Sequence, residues 1–422
     1  MAVRIVTPLP EPPSAEIAGE IRGYILEGID LAAPRQSFHP RPFWAGLAAT
    51  GTELWLDTGD ADEAGKHWSA EFSGLTTNNS LLNAEVQRGI YDDLVRDAAR
   101  RVVSRLSPNL RVLELGFILN ARHALGLAQR FGGKVSVELH TDLAHDVERS
   151  CIYARRYFEV CPEQFVIKIP FTPAGLLAAQ RLLEEGIPIN LTLGFSVRQC
   201  FLAAAFAHPA YVNVFVGRVG AYLADNGLGD GAGAGEKAVL ASQRAVREVS
   251  TKYRTRQIAA SLRQGRQVVD LAGVDVLTIS PKVAAEAAAI EVAEWKPKTE
   301  DEFTVALPDT VPPSELRLNR LWEIGPSIRR LVADLHLSPT AGAIDLATRA
   351  REVGAGDLFP QLSPVDQNRI AADGKIPKHA SWAERIRSSG VAIDSLLTLA
   401  GLAAFEADQK RLDDRIRGLL RP

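Results

Sequence analysis

Residues 165–196 read FVIKIPFTPAGLLAAQRLLEEGIPINLTLGFS, and the reading of this stretch decides the fold. Phe165-Val166-Ile167-Lys168-Ile169-Pro170 is a short, almost wholly apolar and β-branched run, the pattern of a strand buried on both faces. A helix follows, with Thr172 as N-cap, Pro173 at the first helical position, Leu176, Ala179 and Leu183 on the apolar face and Gly186 as the stop. A second buried strand, Ile189–Leu193, then puts Asn190 and Thr192 on one face by the two-residue period. Strand, helix and strand with a lysine, an amide and a hydroxyl at inward positions have the form of a reaction centre.

Lys168 admits two readings. Its ammonium snorkels to solvent from a nearby strand end, or burial disfavours the charged form and frees the amine to attack a carbonyl and form a Schiff base. The rest of the chain bears on the choice.

Outward from this unit the pattern of short apolar strand, turn and amphipathic helix repeats from Glu53 to about Val305. Strand candidates are Glu53–Asp57, Gly74–Asn78, Arg111–Leu115, Lys134–Leu139, Phe165–Pro170, Ile189–Leu193, Tyr211–Val216, Gln257–Ser261 and Val274–Ile279. Nine candidates stand for eight barrel places, and Arg111–Leu115, which also reads as a helix end, is the weakest. Repeated strand–helix units imply a parallel sheet with right-handed crossovers. The expected class is α/β, a (β/α)8 TIM barrel with an N-terminal extension and a helical C-terminal insertion; a doubly wound open sheet is the runner-up. The division is 1–50 as the extension, with prolines at 8, 10, 12 and 13 and a helical patch around Ile17–Leu31, then 51–307 as the catalytic barrel. Residues 308–400, where strand signals stop and short helices are broken by Gly and Pro, are the insertion. Residues 401–422 carry a closing amphipathic helix, Ala403–Leu420.

Composition narrows the function classes. The 422 residues, 46% of them hydrophobic, suffice for a barrel of the usual size, about 250 residues, plus additions. With 48 basic against 51 acidic residues the net charge is −3, and without a basic stripe nucleic acid is not the expected partner. No run approaches about 20 apolar residues, and MAVRIVTPLPEPPSAE lacks a signal-peptide core, so neither a membrane nor export is expected. Cys151, Cys161 and Cys200 have no metal-ligand spacing and leave one over, which suits reduced thiols in a cytoplasmic protein.

A barrel enzyme carries its chemistry at the C-terminal ends of its strands. Asp57, Asn78, Glu138, Lys168, Asn190, Thr192, Arg218, Ser261 and Arg263 all fall in such places. Individually Asp57 and Asn78 also read as turn residues or helix caps, and Arg218 and Arg263 as solvated side chains. Seven strands each supplying a polar or charged group argue for a common site.

The motifs DTGD (Asp57–Asp60), TTNNS (Thr76–Ser80), VSVE (Val135–Glu138), VIKIP (Val166–Pro170), GIPINLTLGFS (Gly186–Ser196), FVGR (Phe215–Arg218), ASLR (Ala260–Arg263) and DVLTISP (Asp275–Pro281) run in order along the chain, and FEADQKRLDDRI closes it. In these the chain resembles the transaldolase family of class I, Schiff-base-forming aldolases, over roughly Glu53–Lys298 and Ala403–Leu420. The resemblance implies a transferase of the pentose phosphate pathway that moves a dihydroxyacetone unit. The donor would be sedoheptulose 7-phosphate or fructose 6-phosphate, the acceptor glyceraldehyde 3-phosphate or erythrose 4-phosphate. Lys168 would form the Schiff base, Asp57 act as general base, and Glu138 and Thr192 hold a proton-relaying water. Asn78, Asn190 and Phe215 would line the sugar, and Arg218, Ser261 and Arg263 bind phosphate, for which the guanidinium fork is suited. No cofactor and no metal are implied, because the lysine is the electron sink; sugar phosphates are the expected partners, and a homodimer the expected assembly.

Two positions depart from the family pattern. Asn79 stands where proline is usual, and Asn213-Val214 where a serine–proline pair is usual, the serine being a residue that touches the sugar. The sister group, fructose 6-phosphate aldolase, typically carries glutamine at the place of Glu138 and tyrosine at that of Phe215, which favours transaldolase; a specialised biosynthetic aldolase is the further alternative. A metal-dependent enzyme, prompted by Glu138-Leu139-His140 and by His145, is disfavoured because two histidines five apart on a strand-to-helix loop are poor ligand geometry and no third ligand joins the pair. The Gly-rich stretch NGLGDGAGAGEK (Asn226–Lys237) lacks the spacing of a phosphate-binding loop and reads as a mobile loop between helices.

Overall fold

The apolar runs that alternate with helices pair as parallel strands: β1 (Glu53–Asp57), β2 (Phe72–Thr76), β3 (Lys134–Glu138), β4 (Phe165–Pro170), β5 (Ile189–Thr192), β6 (Tyr211–Phe215), β7 (Arg256–Ala260) and β8 (Val276–Ile279). Each pairs with the next and β8 returns to β1, so the sheet closes into a (β/α)8 barrel. The computed structural model describes residues 10–30, 36–309 and 311–421. Pro8 and Leu31, named above in the extension, lie outside the described residues.

The unit around Lys168 forms as its residues dictate. Thr172 caps the Pro173–Glu184 helix through Gly175 N, and Gly186, at φ +72°, follows its end. Two expected strands are corrected. Arg111–Leu115 lies inside the helix Pro108–Phe131, whose wrapping by neighbours buries nearly its whole middle and so hides the amphipathic period. The second strand is Phe72–Thr76 rather than Gly74–Asn78, because Asn78 leaves the sheet to cap the next helix. The closing helix runs Ile393–Leu419, beginning before the expected Ala403. Gly401 does not break it; a Cβ there would lie 2.7 Å from Leu193 Cδ2 and 2.9 Å from Arg218 Nη1, so the glycine lets the helix settle onto the barrel mouth.

Trp55 fills the barrel from β1, opposite Gly74, where any Cβ would meet the indole at 2.8 Å. Beneath it a polar layer seals the N-terminal end. Tyr211 Oη accepts from Lys134 Nζ (2.9 Å) and Arg256 Nη2 (2.6 Å), while Glu53 accepts from Trp55 Nε1 (2.9 Å) and Ser73 Oγ (3.1 Å) and pairs with Arg256.

Between Pro313 and Arg387 the described residues form short helices and no strand. A buried charge cluster ties this stretch to the barrel. Arg198, in the helix after β5, binds both carboxylate oxygens of Asp394 at 2.7 Å and reaches Asp357 at 3.0 Å, which Arg320 also pairs. In the Gly-rich loop between Asp225 and Ala234 the backbone comes close to the preceding helix: a Cβ at Gly231 would lie 2.1 Å from the Gly220 carbonyl oxygen.

Candidate active site

Strand register brings the expected residues to one end of the barrel. Glu138 on β3 is directly opposite Lys168 on β4, and Lys168 is opposite Asn190 on β5. Lys168 and Glu138 are each only 3% exposed, which removes the snorkelling reading. Lys168 Nζ donates to the Thr77 carbonyl oxygen (3.2 Å), lies 3.8 Å from Glu138 Oε2, and stands 5.8 Å from the centre of the Phe405 ring of the closing helix. The amine is thus enclosed by β2, β3 and the closing helix.

The carboxylates around it are held in unlike ways. Burial pushes Glu138 above the ordinary carboxylate range, more strongly than Lys168, the backbone N–H of Asn79 and Arg218 pull it down. Asp57, at the end of β1, is likewise raised by burial, against the attraction of Lys168, Arg263 and Arg218. Both groups therefore hold protons more readily than a carboxylate in water, as acid–base partners near neutrality must.

The amides are partly committed to each other. Asn190 Nδ2 donates to Ser136 Oγ (3.0 Å) and its Oδ1 accepts from Asn213 Nδ2 (3.1 Å). Asn78 is a helix cap, its side chain accepting from Leu81 N (2.9 Å), so the cap reading given to it is correct and its amide nitrogen is left for a ligand. Thr192 Oγ1, Asn213 Oδ1 and Arg218 Nη1 are buried with no hydrogen-bond partner among the described residues. Three such atoms at one barrel end are costly in a folded chain unless a ligand uses them.

The cationic side is built by the segments after β6 and β7. Arg218, buried in the first turn of the Val216–Asp225 helix, packs its guanidinium 5.1 Å from the Phe215 ring and 5.8 Å from that of Phe405. Burial first, then neighbouring Arg263, bring its pKa down to about 10. Arg263 is exposed in the loop beyond β7. Ser261 has a left-handed backbone, φ +60°, as does Leu193 after β5, φ +64°; such strain in non-glycine residues collects at functional sites. The two guanidiniums act on each other and both also act on Asp57; with Ser261 beside them they suit a phosphate dianion.

Sequence reasoning did not find Phe405, which covers both Lys168 and Arg218, nor the roles of Thr77, Ser136 and Asn79. Phe405 was legible only as an apolar position of the closing helix, and the others act through backbone atoms or as links between site residues. His140 pairs with Asp413 of the closing helix at 3.3 Å. Among the described residues no group of three or more His, Cys, Asp or Glu side chains is arranged to hold a metal ion. Nor is any described helix long and apolar enough to cross a membrane.

Comparison with known proteins agrees with this geometry. A sequence model of the family described as transaldolase/fructose-6-phosphate aldolase matches residues 54–310. A transaldolase of Acidobacterium capsulatum is 33% identical over 248 residues, covering 56% of this chain and 73% of that protein. One from Methylococcus capsulatus is 32% identical over 252 residues, 57% of this chain and 75% of the relative. A probable transaldolase of Dictyostelium discoideum is 29% identical over 307 residues, 67% of this chain and 93% of its own length.

Proposed function

Because the chain belongs to the transaldolase/fructose-6-phosphate aldolase family, we propose that it transfers a dihydroxyacetone unit between sugar phosphates through a Schiff base on Lys168. The observation that carries this reading is the buried Lys168 amine 3.8 Å from the equally buried Glu138 carboxylate. For attack the amine must be neutral, and Glu138, with its raised proton affinity, is the nearest acceptor for its proton. The amine adds to the ketone carbon of the donor. Glu138, with Thr192 Oγ1 holding a water between them, passes protons as the carbinolamine forms and loses water. Asp57 takes the proton of the hydroxyl beside the bond that breaks, and the aldehyde departs. The three-carbon unit stays on Lys168, next to Asn78, Asn190 and Phe215, until an acceptor aldehyde takes it up. Arg218, Ser261 and Arg263 hold the phosphate of donor and acceptor in turn.

One observation favours a second reading. The Asn190 carboxamide is engaged by Ser136 and Asn213, and Asn213 Oδ1 joins Thr192 Oγ1 as an acceptor without a hydrogen-bond partner among the described residues. A site so altered suits an aldolase with a changed donor or acceptor. Product analysis separates the two. With fructose 6-phosphate and erythrose 4-phosphate, transfer yields sedoheptulose 7-phosphate and glyceraldehyde 3-phosphate. Release of free dihydroxyacetone with no heptulose formed would replace transaldolase by an aldolase of the releasing type.

A further inference from the structure

The loop between β2 and the Asn79–Gln87 helix touches both members of the Lys168–Glu138 pair through its backbone. The Thr77 carbonyl oxygen accepts from Lys168 Nζ at 3.2 Å, and two residues on the Asn79 N–H donates to Glu138 Oε2 at 3.3 Å. Asn79 itself is buried, and its side chain fixes the peptide by donating to the Leu139 carbonyl oxygen (3.4 Å). On the other side Asn120 Nδ2 donates to the Glu138 carbonyl oxygen at 2.8 Å. The Glu138 carboxylate is thus held from the helix start by Asn79, and its backbone from the other side by Asn120.

We propose that Asn79 is a positioning residue for the proton relay, its backbone N–H aiming the Glu138 carboxylate at Lys168. The inference rests on the Schiff-base reading of Lys168 given above. A proline at this position has no N–H to give. The backbone accepts either residue. Asn78 is extended at φ −158°, ψ 170°, the region that a following proline requires, and residue 79 is the first of its helix, where proline is favoured. Replacing Asn79 by proline therefore deletes the N–H bond to Glu138 and the side-chain bond to the Leu139 carbonyl with little demand on the backbone, and the alanine exchange deletes the second alone. The charged groups that face Glu138 are Lys168 from β4, Arg218 from the helix after β6 and Asp57 from β1; His140, two residues further on, is turned to Asp413. None of these is altered by the exchange.

Glu138 must be a carboxylate to take the amine proton, so its ionisation sets the acid limb of kcat/KM. A backbone N–H favours the charged form, and two or three such bonds lower a carboxyl by about 2 units, so one long bond is worth about half to one unit. In Asn79→Pro the acid limb should move to higher pH by that amount, and in Asn79→Ala, which keeps the N–H but loses the side-chain bond to the Leu139 carbonyl, by less. An unmoved limb in Asn79→Pro, or an equal shift in Asn79→Ala, overturns the proposal. A second measurement does not depend on the proline variant folding. In the ¹⁵N-labelled parent chain the Asn79 amide proton should titrate with the midpoint of the acid limb and cease to do so in Glu138→Gln; failure of either contradicts the role. Borohydride trapping of the parent with fructose 6-phosphate separates the two levels. Without an adduct the Schiff-base reading falls, and with an adduct but an unmoved limb only the role of Asn79 falls.

Discussion

Lys134 and Lys168 stand on neighbouring strands, β3 and β4, and belong to opposite ends of the same barrel. Lys134 is 39% exposed; its amine donates to Tyr211 Oη at 2.9 Å and lies 3.8 Å from Glu53, which Arg256 and Trp55 also engage. Lys168 is buried, with one carbonyl oxygen at 3.2 Å and one carboxylate at 3.8 Å, amid the unpartnered atoms of Thr192, Asn213 and Arg218. At the N-terminal end polar groups complete one another, and the layer contributes to stability. At the C-terminal end they are left incomplete, a cost the fold bears in exchange for a site ready for a ligand. The residue type is the same; what surrounds it decides whether it seals or reacts.

Substitutions that act on one end alone sharpen this contrast. Lys168→Met should lower the transfer rate by about 10⁴-fold or more, as loss of a covalent nucleophile does, whereas Lys134→Met should keep it; steady-state rates of the two variants decide. Glu138→Gln should cost about 10²–10⁴-fold by removal of the relay group. It should also stabilise the protein near neutral pH. Burial raises the folded-state pKa of Glu138 above its unfolded value, so its contribution to stability is fully present below the unfolded pKa and is lost as pH rises through the folded one. Thermal melting at acid and neutral pH should therefore find the variant's advantage growing with pH, on the order of 1 kcal/mol per unit of elevation; an advantage that shrinks would contradict the burial of this charge.

Smaller effects test the lid and the seal. Gly401→Ala forces a methyl against Leu193 and Arg218, so it should destabilise by about 1–3 kcal/mol and raise KM for phosphorylated donors more than for dihydroxyacetone. Equal changes in both KM values would separate Arg218 from phosphate binding. Tyr211→Phe removes the acceptor shared by Lys134 and Arg256. Denaturant unfolding should register a loss of about 1 kcal/mol, with borohydride trapping on Lys168 unchanged.

Much of this was legible in the sequence, for reasons that differ along the chain. β1 and β4 begin and end where the apolar runs do, and the other strands fall within two residues of their expected limits, because strands buried on both faces leave continuous apolar runs with polar residues at their tips. Arg111–Leu115 failed by the same token: a helix buried all round also leaves such a run, and length alone separates them. The closing helix starts ahead of the expected Ala403, and only the nearness of Arg218 and Leu193 explains a glycine at position 401 within it. The barrel-end residues were found from their strand positions. Asn78 misled in part, since one amide cannot be told from sequence as cap or ligand group. The Arg198–Asp394–Asp357 cluster was out of reach, as it joins residues far apart in the chain through charges that read individually as surface. The backbone bonds of Thr77 and Asn79 were equally hidden, for backbone groups carry no residue identity.

The most direct test is sodium borohydride reduction of the full chain with fructose 6-phosphate, followed by mass spectrometry of its peptides. The account predicts a reduced dihydroxyacetone adduct on Lys168 and on no other lysine, absent from Lys168→Met. An adduct on Lys134 or elsewhere, or none from folded protein with any ketose phosphate, would contradict it.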